Sequence, residues 1–415
     1  MSTTPTNGKE FSGRPRYQPY TGPRIYKHVS RSRPCLICGK TDWCSYSLNG
    51  EVSCCARKTE GADYISKKEG WGIYFHNKDA GRPAVSASAP PRRQKRLPPP
   101  TPVAPLEVRD AVYQKLMELS PATNHRAELI EGEHGLLARG FTDEDFPRFG
   151  SLPAKASDRA ALARELRMFV RTVFYEYAEK TGFAGVVGVP GFWQEKDGSV
   201  RLWMDRDEAG PMLLIPYRDL DGRIQACQFR RSAPLGDGQK RYSWLSTPAK
   251  RKGVTSGTPI HYTFRAGECP EGSTVIMTEG GLKARAFVRQ RPKARILATS
   301  GVTCSHELLI AAARGRRALA AFDADHRQNK NVCRHLARLI AAREQDAEVH
   351  GLETETRVVV WETVEGRRDK GIDDAALLGL PLRSLAVAEW YATLSGAPLE
   401  VVTKVWREMR YEVKS

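Results

Sequence analysis

The sequence predicts a multidomain α/β protein. It should hold a small zinc-ribbon-like module, a helical and then β-rich basic subdomain, a Rossmann-like parallel-sheet domain and a short helical tail. Three observations predict this. Five of the nine cysteines fall between Cys35 and Cys55. A basic stretch, "GRPAVSASAPPRRQKRLPPPTPVAP", sets them apart, because so much proline can neither pack a core nor continue a helix. From Val275 onward, apolar strand-like runs alternate with helical ones, the pattern of βαβ units around a parallel sheet.

Residues 1–30 are polar, basic and rich in Gly and Pro, and are expected to form a flexible arm. Residues 31–78 carry the cysteine module and 79–106 the Pro-rich linker. In "LEVRDAVYQKLMELS", Val108, Val112, Leu116 and Leu119 recur at helical spacing and open a mostly helical stretch over 107–182. Over 183–270 the texture changes to short strands. There "PMLLIPYRDLDGRIQACQFRR" reads as two strands joined by a hairpin turn at "DLDG". Over 271–381 the runs "VIMTE", "RILATSG", "RALAAFDAD" and "TRVVVWE" alternate with helices, and 382–415 reads as two amphipathic helices.

Lys+Arg 65 against Asp+Glu 48 gives a formal charge of +17, which points to a polyanionic partner, most simply nucleic acid. No apolar run is long enough to span a bilayer, and "MSTTPTNGKEF" lacks the apolar core of a secretory signal. The expected location is a reducing cytoplasm, where cysteines serve as metal ligands.

The cysteines space as Cys35-x₂-Cys38-x₅-Cys44-x₁₀-Cys55, which supplies four thiolates for one structural Zn²⁺. A hairpin at "SLNGEV" would return the last of them to the knuckle, and strand alternation would put either Cys54 or Cys55 at the metal. His28 is a spare candidate. Cys227, Cys269, Cys304 and Cys333 are scattered and read as buried or incidental.

Glu279 ends one strand-like run, and Asp323 and Asp325 end another. In open parallel sheets ligands bind at the carboxyl ends of strands. Residues i and i+2 of an extended segment share a face, so the two aspartates are expected to point together and meet Glu279 at one rim. Crowded carboxylates repel; Mg²⁺ or Mn²⁺ relieves that and suits phosphoryl chemistry. Glu279 binds metal or acts as general acid/base, and the sequence leaves both open. Lys283, one helical turn on, would reach a phosphate. The competing reading makes Asp323 and Asp325 caps of the next helix.

Val275 to Leu380 resembles a Toprim domain, the catalytic fold shared by DnaG-type primases, topoisomerases and some nucleases. The resemblance rests on "TEGGLKA", "FDADHRQN" and "KGIDDAAL", and looks most like Toprim proteins of phages, plasmids and other mobile elements. It implies metal-binding acids at Glu279, Asp323 and Asp325, with Asp373 a further one, and favours Cys55 over Cys54 as the fourth zinc ligand. Ala324 departs from the family's glycine.

Upstream, "KRYSWLSTPAKRKG" mixes cations with Tyr242 and Trp244, a composition that suits stacking and phosphate contact on single strands, or a small β core. The region is similar to the basic subdomain of DnaG-type primases, which implies that Arg230, Lys240, Arg241 and Lys252 face template or nucleotide. Arg241 replaces the family's lysine. The expected function is primer synthesis from nucleoside triphosphates on single-stranded DNA. The alternatives are a Toprim nuclease or a non-catalytic single-strand-binding initiator. No G-x₄-G-K-[ST] motif is visible, so a built-in motor is not expected, and the resemblance implies a separate replicative helicase as partner.

Overall fold

A computed structural model of the chain describes residues 26–47, 52–66, 70–76, 101–182, 184–204, 206–236, 239–363 and 370–412. The predicted arm, the tip of the "SLNGEV" hairpin and most of the Pro-rich linker lie outside them. The chain forms two compact units, Met1–Leu97 and Pro98–Ser415. Among the described residues no helix is long and apolar enough to cross a membrane.

The first unit is a five-stranded antiparallel sheet of β1 (Tyr26–His28), β2 (Ser45–Ser47), β3 (Val52–Cys55), β4 (Tyr64–Ile65) and β5 (Gly72–Phe75), in the order β1-β2-β3-β5-β4. Among the described residues its buried cluster is Val29, Cys35, Cys44, Cys55 and Tyr74, with Ile37, Cys38, Tyr46, Ala56 and Ala62 partly buried against it. So little apolar surface does not stabilise a fold this small without a cross-link.

The second unit begins with α1 (Leu106–Leu119), whose buried stripe is Val108, Val112, Tyr113, Leu116 and Met117. A short helix, α2 (Arg126–Leu129), precedes β6 (Gly150–Leu152), α3 (Ala156–Val173) and α4 (Tyr175–Lys180). A hairpin of β7 (Phe192–Gln194) and β8 (Val200–Leu202) follows. Next come β9 (Met212–Arg218), β10 (Ile224–Arg231) and β11 (Tyr242–Trp244). The antiparallel sheet runs β11-β10-β9-β6, so the segment read as helical contributes a strand to the β-rich segment's sheet.

Strand β9 is buried on both sides. Met212 and Leu214 join the core beneath α1 and α3, while Leu213, Ile215 and Tyr217 join a second core with Leu282 and Ala286. That alternation is the period of a strand, and it seats the sheet against the helix that carries Leu282.

This helix, α5 (Gly281–Gln290), belongs to a six-stranded sheet ordered β12-β14-β13-β15-β16-β17. Its strands are β12 (His261–Tyr262), β13 (Thr274–Glu279), β14 (Ile296–Thr299), β15 (Arg317–Ala320), β16 (Thr356–Val360) and β17 (Arg383–Ala386). The four central strands are parallel and both edges antiparallel. One face carries α5 and α8 (Ile372–Leu377); the other carries α6 (His306–Ala312), α7 (Lys330–His350), α9 (Val387–Ala392) and α10 (Gly396–Met409).

The tail holds two helices, α9 and α10, as read from the sequence, preceded by edge strand β17, and they pack on this domain: Trp390, Val402, Val405 and Trp406 are buried in the same core as Val275 and Leu336. The Trp406 indole N–H donates to the Ala337 carbonyl at 3.0 Å. Trp406→Ala is therefore expected to cost about 3–5 kcal/mol, the range for truncating a buried aromatic, measured by denaturant unfolding. A negligible change would remove the tail from the core.

Candidate functional site

In the six-stranded sheet, β13 is followed by β14 on one side, and the chain then crosses to β15 on the other. The carboxyl end of β13 is thus where strand order reverses, the place at which open α/β sheets form a crevice. Glu279 is the last residue of β13. Gly280 takes φ +86°, and Gly281 lies so close to Tyr217 that a Cβ there would meet its ring at 3.0 Å. A side chain at either position would strain the turn or push the middle sheet away. The Gly281 N–H donates to the Tyr217 hydroxyl at 3.0 Å, which itself donates to Gln228 Oε1 at 2.8 Å.

The Lys283 ammonium sits between two acids: 3.4 Å from Glu279 Oε1 and paired with Asp323 Oδ1. Burial opposes its charge, but Asp323 and Glu279 outweigh that and hold it above the ordinary lysine value. Burial pushes the Glu279 carboxyl up, Lys283 pulls it back and Asp323 raises it again, so it stays above the usual glutamate value. Glu279 Oε2 accepts the Val302 N–H at 2.9 Å.

Asp325 does not share a strand face with Asp323. Strand β15 ends at Ala320, and Ala324–Arg327 turns into a 3₁₀ segment. Asp325 Oδ2 instead pairs with Lys370 Nζ at 2.6 Å. Among the described residues only four cysteines, treated below, bring three or more potential metal-ligand atoms within 4.8 Å of one another. The predicted meeting of three carboxylates is therefore realised for Glu279 and Asp323 alone, with Lys283 between them. Neither aspartate caps α7, because Asn329 does so, accepting the Asn331 N–H at 3.0 Å.

Asp373 is buried and held by Arg139 at 2.6 Å, a residue 234 positions away that the sequence did not single out. The acidic side nonetheless fits a divalent cation. Asp325 Oδ1 and Asp373 Oδ1 are buried without a hydrogen-bond partner, a costly state for a carboxylate oxygen. A Cβ on Gly371 would collide with Asp373 Oδ1 and lie 3.2 Å from Asp374 Oδ2 and 3.5 Å from Lys283 Cε. The Asp373 and Asp374 carboxylates thus lie beside Lys283 around a spot that glycine keeps open.

The basic residues divide. Arg230 is 2 % exposed and donates to the His134 carbonyl, so it braces the sheet rather than facing solvent. Arg241 donates to the carbonyls of Arg231, Ser232 and Ala233, also a bracing role. Lys240 and Lys252 are exposed. Trp244 is half-buried against Tyr217, ring centroids 4.7 Å apart, while Tyr242 is exposed.

In the first unit, Cys35, Cys38, Cys44 and Cys55 converge. Cys38 and Cys44 Sγ are 3.7 Å apart, and Cys44 and Cys55 Sγ 3.8 Å. Zinc–sulfur bonds of about 2.3 Å in a tetrahedron place sulfurs about 3.8 Å apart, so the spacing fits Zn²⁺. The Ala56 and Lys58 N–H groups donate to Cys44 and Cys55 Sγ at 3.4 and 3.3 Å. Burial pushes the Cys44 thiol up to about 12, whereas the Lys40 N–H and neighbouring thiols overcome burial to bring Cys38 down to about 7. Four converging thiolates, three of them buried, need a cation to coexist. Neither Cys54 nor the exposed His28 belongs to the group. Cys54→Ser is expected to leave about one zinc per chain by elemental analysis; loss of the metal would reassign the fourth ligand.

No family model matches the chain, and no curated protein matches it. Solved structures do. The zinc-binding and RNA polymerase domains of Aquifex aeolicus primase are 14 % identical, with TM-score 0.44 over 73 % of this chain and 67 % of that one. A DNA primase domain from Pseudomonas aeruginosa is 18 % identical, TM-score 0.42, over 69 % of this chain and 81 % of that one. A DnaG primase catalytic domain bound to ssDNA is 13 % identical, TM-score 0.42, over 74 % and 97 %.

Proposed function

We propose that this chain is a DNA primase-type nucleotidyltransferase, of the DNA-directed RNA polymerase class, that makes primers on single-stranded DNA during replication of a mobile element such as a phage or plasmid. The observation that carries the reading is the meeting of Glu279 and Asp323 at Lys283, where strand order reverses. Glu279, Asp323, Asp325 and Asp373 would hold Mg²⁺ or Mn²⁺, which when bound supplies positive charge against that developing on phosphate oxygens.

In the reaction, a primer 3′-hydroxyl attacks the α-phosphorus of a nucleoside triphosphate, the bond to the bridging oxygen breaks, and pyrophosphate leaves. Lys283 presents its ammonium to the phosphates from between the acids. Exposed Lys240 and Lys252 contact strand phosphates, and Trp244 offers a stacking surface. Arg230 and Arg241 hold the sheet that positions them. The zinc module selects where synthesis starts, and a separate replicative helicase opens the duplex.

The full chain, given single-stranded DNA, labelled ribonucleotides and Mg²⁺ or Mn²⁺, is expected to yield short, template-dependent labelled products. Shortened template instead would make it a nuclease, and binding with no turnover a non-catalytic initiator. Either result overturns the proposal. Strand affinity should also fall steeply with salt, log K losing about 0.7 per phosphate neutralised for each decade. A flat response would remove the lysine contacts.

A further inference from the structure

Beside α5 lies a cavity of about 590 Å³ between the β9–β10 turn, strand β12 and the segment around Phe149. Lys283 and Arg285 are two residues apart on α5, about 200° around the helix. The cavity, which Arg285 lines and Lys283 does not, is therefore separate from the acidic site.

Its chemistry is strongly cationic. Arg148, Arg218, Arg265, Arg285 and Arg289 line it, against Glu144, Asp145 and Asp219. Two of those acids are engaged: Asp145 by Arg289 at 3.2 Å and Asp219 by Arg223 at 3.0 Å. Among the described residues, Arg148, Arg218, Arg265 and Arg285 form no ion pair within 4.0 Å. Burial, with Arg218 and Arg148 beside it, brings Arg285 down to about 9. Like charges are thus gathered in a partly desolvated space, where the nearby Asp145 and Asp110 carboxylates offset the arginines only in part.

A second feature points the same way. His261 is 1 % exposed and lines the cavity. Its Nδ1 accepts the Arg218 N–H at 2.9 Å, which places the ring proton on Nε2. That Nε2 is buried and has no partner. The Arg285 Nε–H is likewise buried and unpaired. Unpaired donors of this kind are costly; both atoms are closed to water here, so they add to the desolvation of the cationic wall, and the exposed guanidinium ends are what a ligand would meet. Guanidinium forks match phosphate oxygens in shape and charge, and the volume is that of a small-molecule site.

We infer that this cavity is a second phosphate-binding site, distinct from the acidic centre, which takes a ligand bearing several phosphate charges between Arg218, Arg265, Arg285 and His261. Such phosphates come from a free polyphosphate-bearing molecule or from the backbone of a bound strand. The inference does not rest on the primase reading, because the cavity and the guanidinium charge gathered around it carry it.

Titration calorimetry of the full chain with inorganic tripolyphosphate, no divalent cation added, tests it. One saturable site is expected, weakened at least tenfold in Arg285→Gln and in Arg265→Gln and unchanged in Glu279→Gln. Arg265 is an exposed residue of a surface loop, so its variant reads binding even if Arg285→Gln folds poorly. An oligodeoxynucleotide that displaces tripolyphosphate, with its own affinity reduced in Arg265→Gln, supports the site with a strand as the source. No displacement supports it with a free ligand. Absence of saturable binding, binding indifferent to both arginines, or binding lost in Glu279→Gln overturns it.

Discussion

Asp323→Ala is expected to reduce nucleotide incorporation by roughly three orders of magnitude while strand binding persists. Asp323 is the acid that approaches Lys283 closely, and the pair is largely withdrawn from solvent, with side chains 19 % and 22 % exposed. Without it, the ammonium keeps Glu279, 3.4 Å away, and the more distant Asp373, and the acidic rim loses the carboxylate that follows β15. Charge stabilisation in such a site contributes several kcal/mol, and 1.36 kcal/mol is tenfold in rate. Strand contacts are assigned to Lys240 and Lys252, which do not touch Asp323, so affinity for single-stranded DNA should change little. Primer assays alongside binding measurements at fixed salt separate the two effects. Activity within tenfold of the parent chain would dismiss the acidic site as the reaction centre, and equal loss of binding and activity would point to a damaged fold.

Parts of this arrangement were legible in the sequence because local chemistry dictates them. "VIMTEGG" reads as strand, acid and glycine turn: the positive φ at Gly280 favours glycine, and a Cβ at Gly281 would crowd the ring of Tyr217. The cysteine knuckle is local too. Asp325 misled because "RALAAFDAD" stays apolar after the ladder ends at Ala320. The Ala321 N–H still donates to the Met277 carbonyl at 2.8 Å, and Ala321 and Phe322 are buried in the cores on the two faces of the sheet, so hydrophobicity did not mark the end of the strand. Arg230 misled because β10 is buried on both sides for most of its length and presents no exposed face on which alternation could place a cation. Arg139 against Asp373, and the gathering of Arg218, Arg285 and His261, join segments far apart in the chain. No spacing rule reaches across such distances. The tail helices showed their apolar faces in the sequence, but not the sheet that covers them.

Cys44→Ser is expected to release the zinc and unfold the first unit alone. Cys44 is fully buried and lies between two other ligands, Cys38 at 3.7 Å and Cys55 at 3.8 Å. A serine hydroxyl would stay protonated where a thiolate is needed and would leave a polar atom in a cluster of five buried residues. Structural zinc sites supply about 10–16 kcal/mol of binding free energy that is also folding free energy, more than a small domain's whole stability. The second unit has its own cores, so its unfolding transition should survive. Elemental analysis should fall from about one zinc per chain to near zero, and hydrogen exchange should lose protection over residues 26–76 and keep it over α7 and β13. A variant that retains both its zinc and that protection would mean Cys44 is no ligand, and the sulfur spacing would need another explanation.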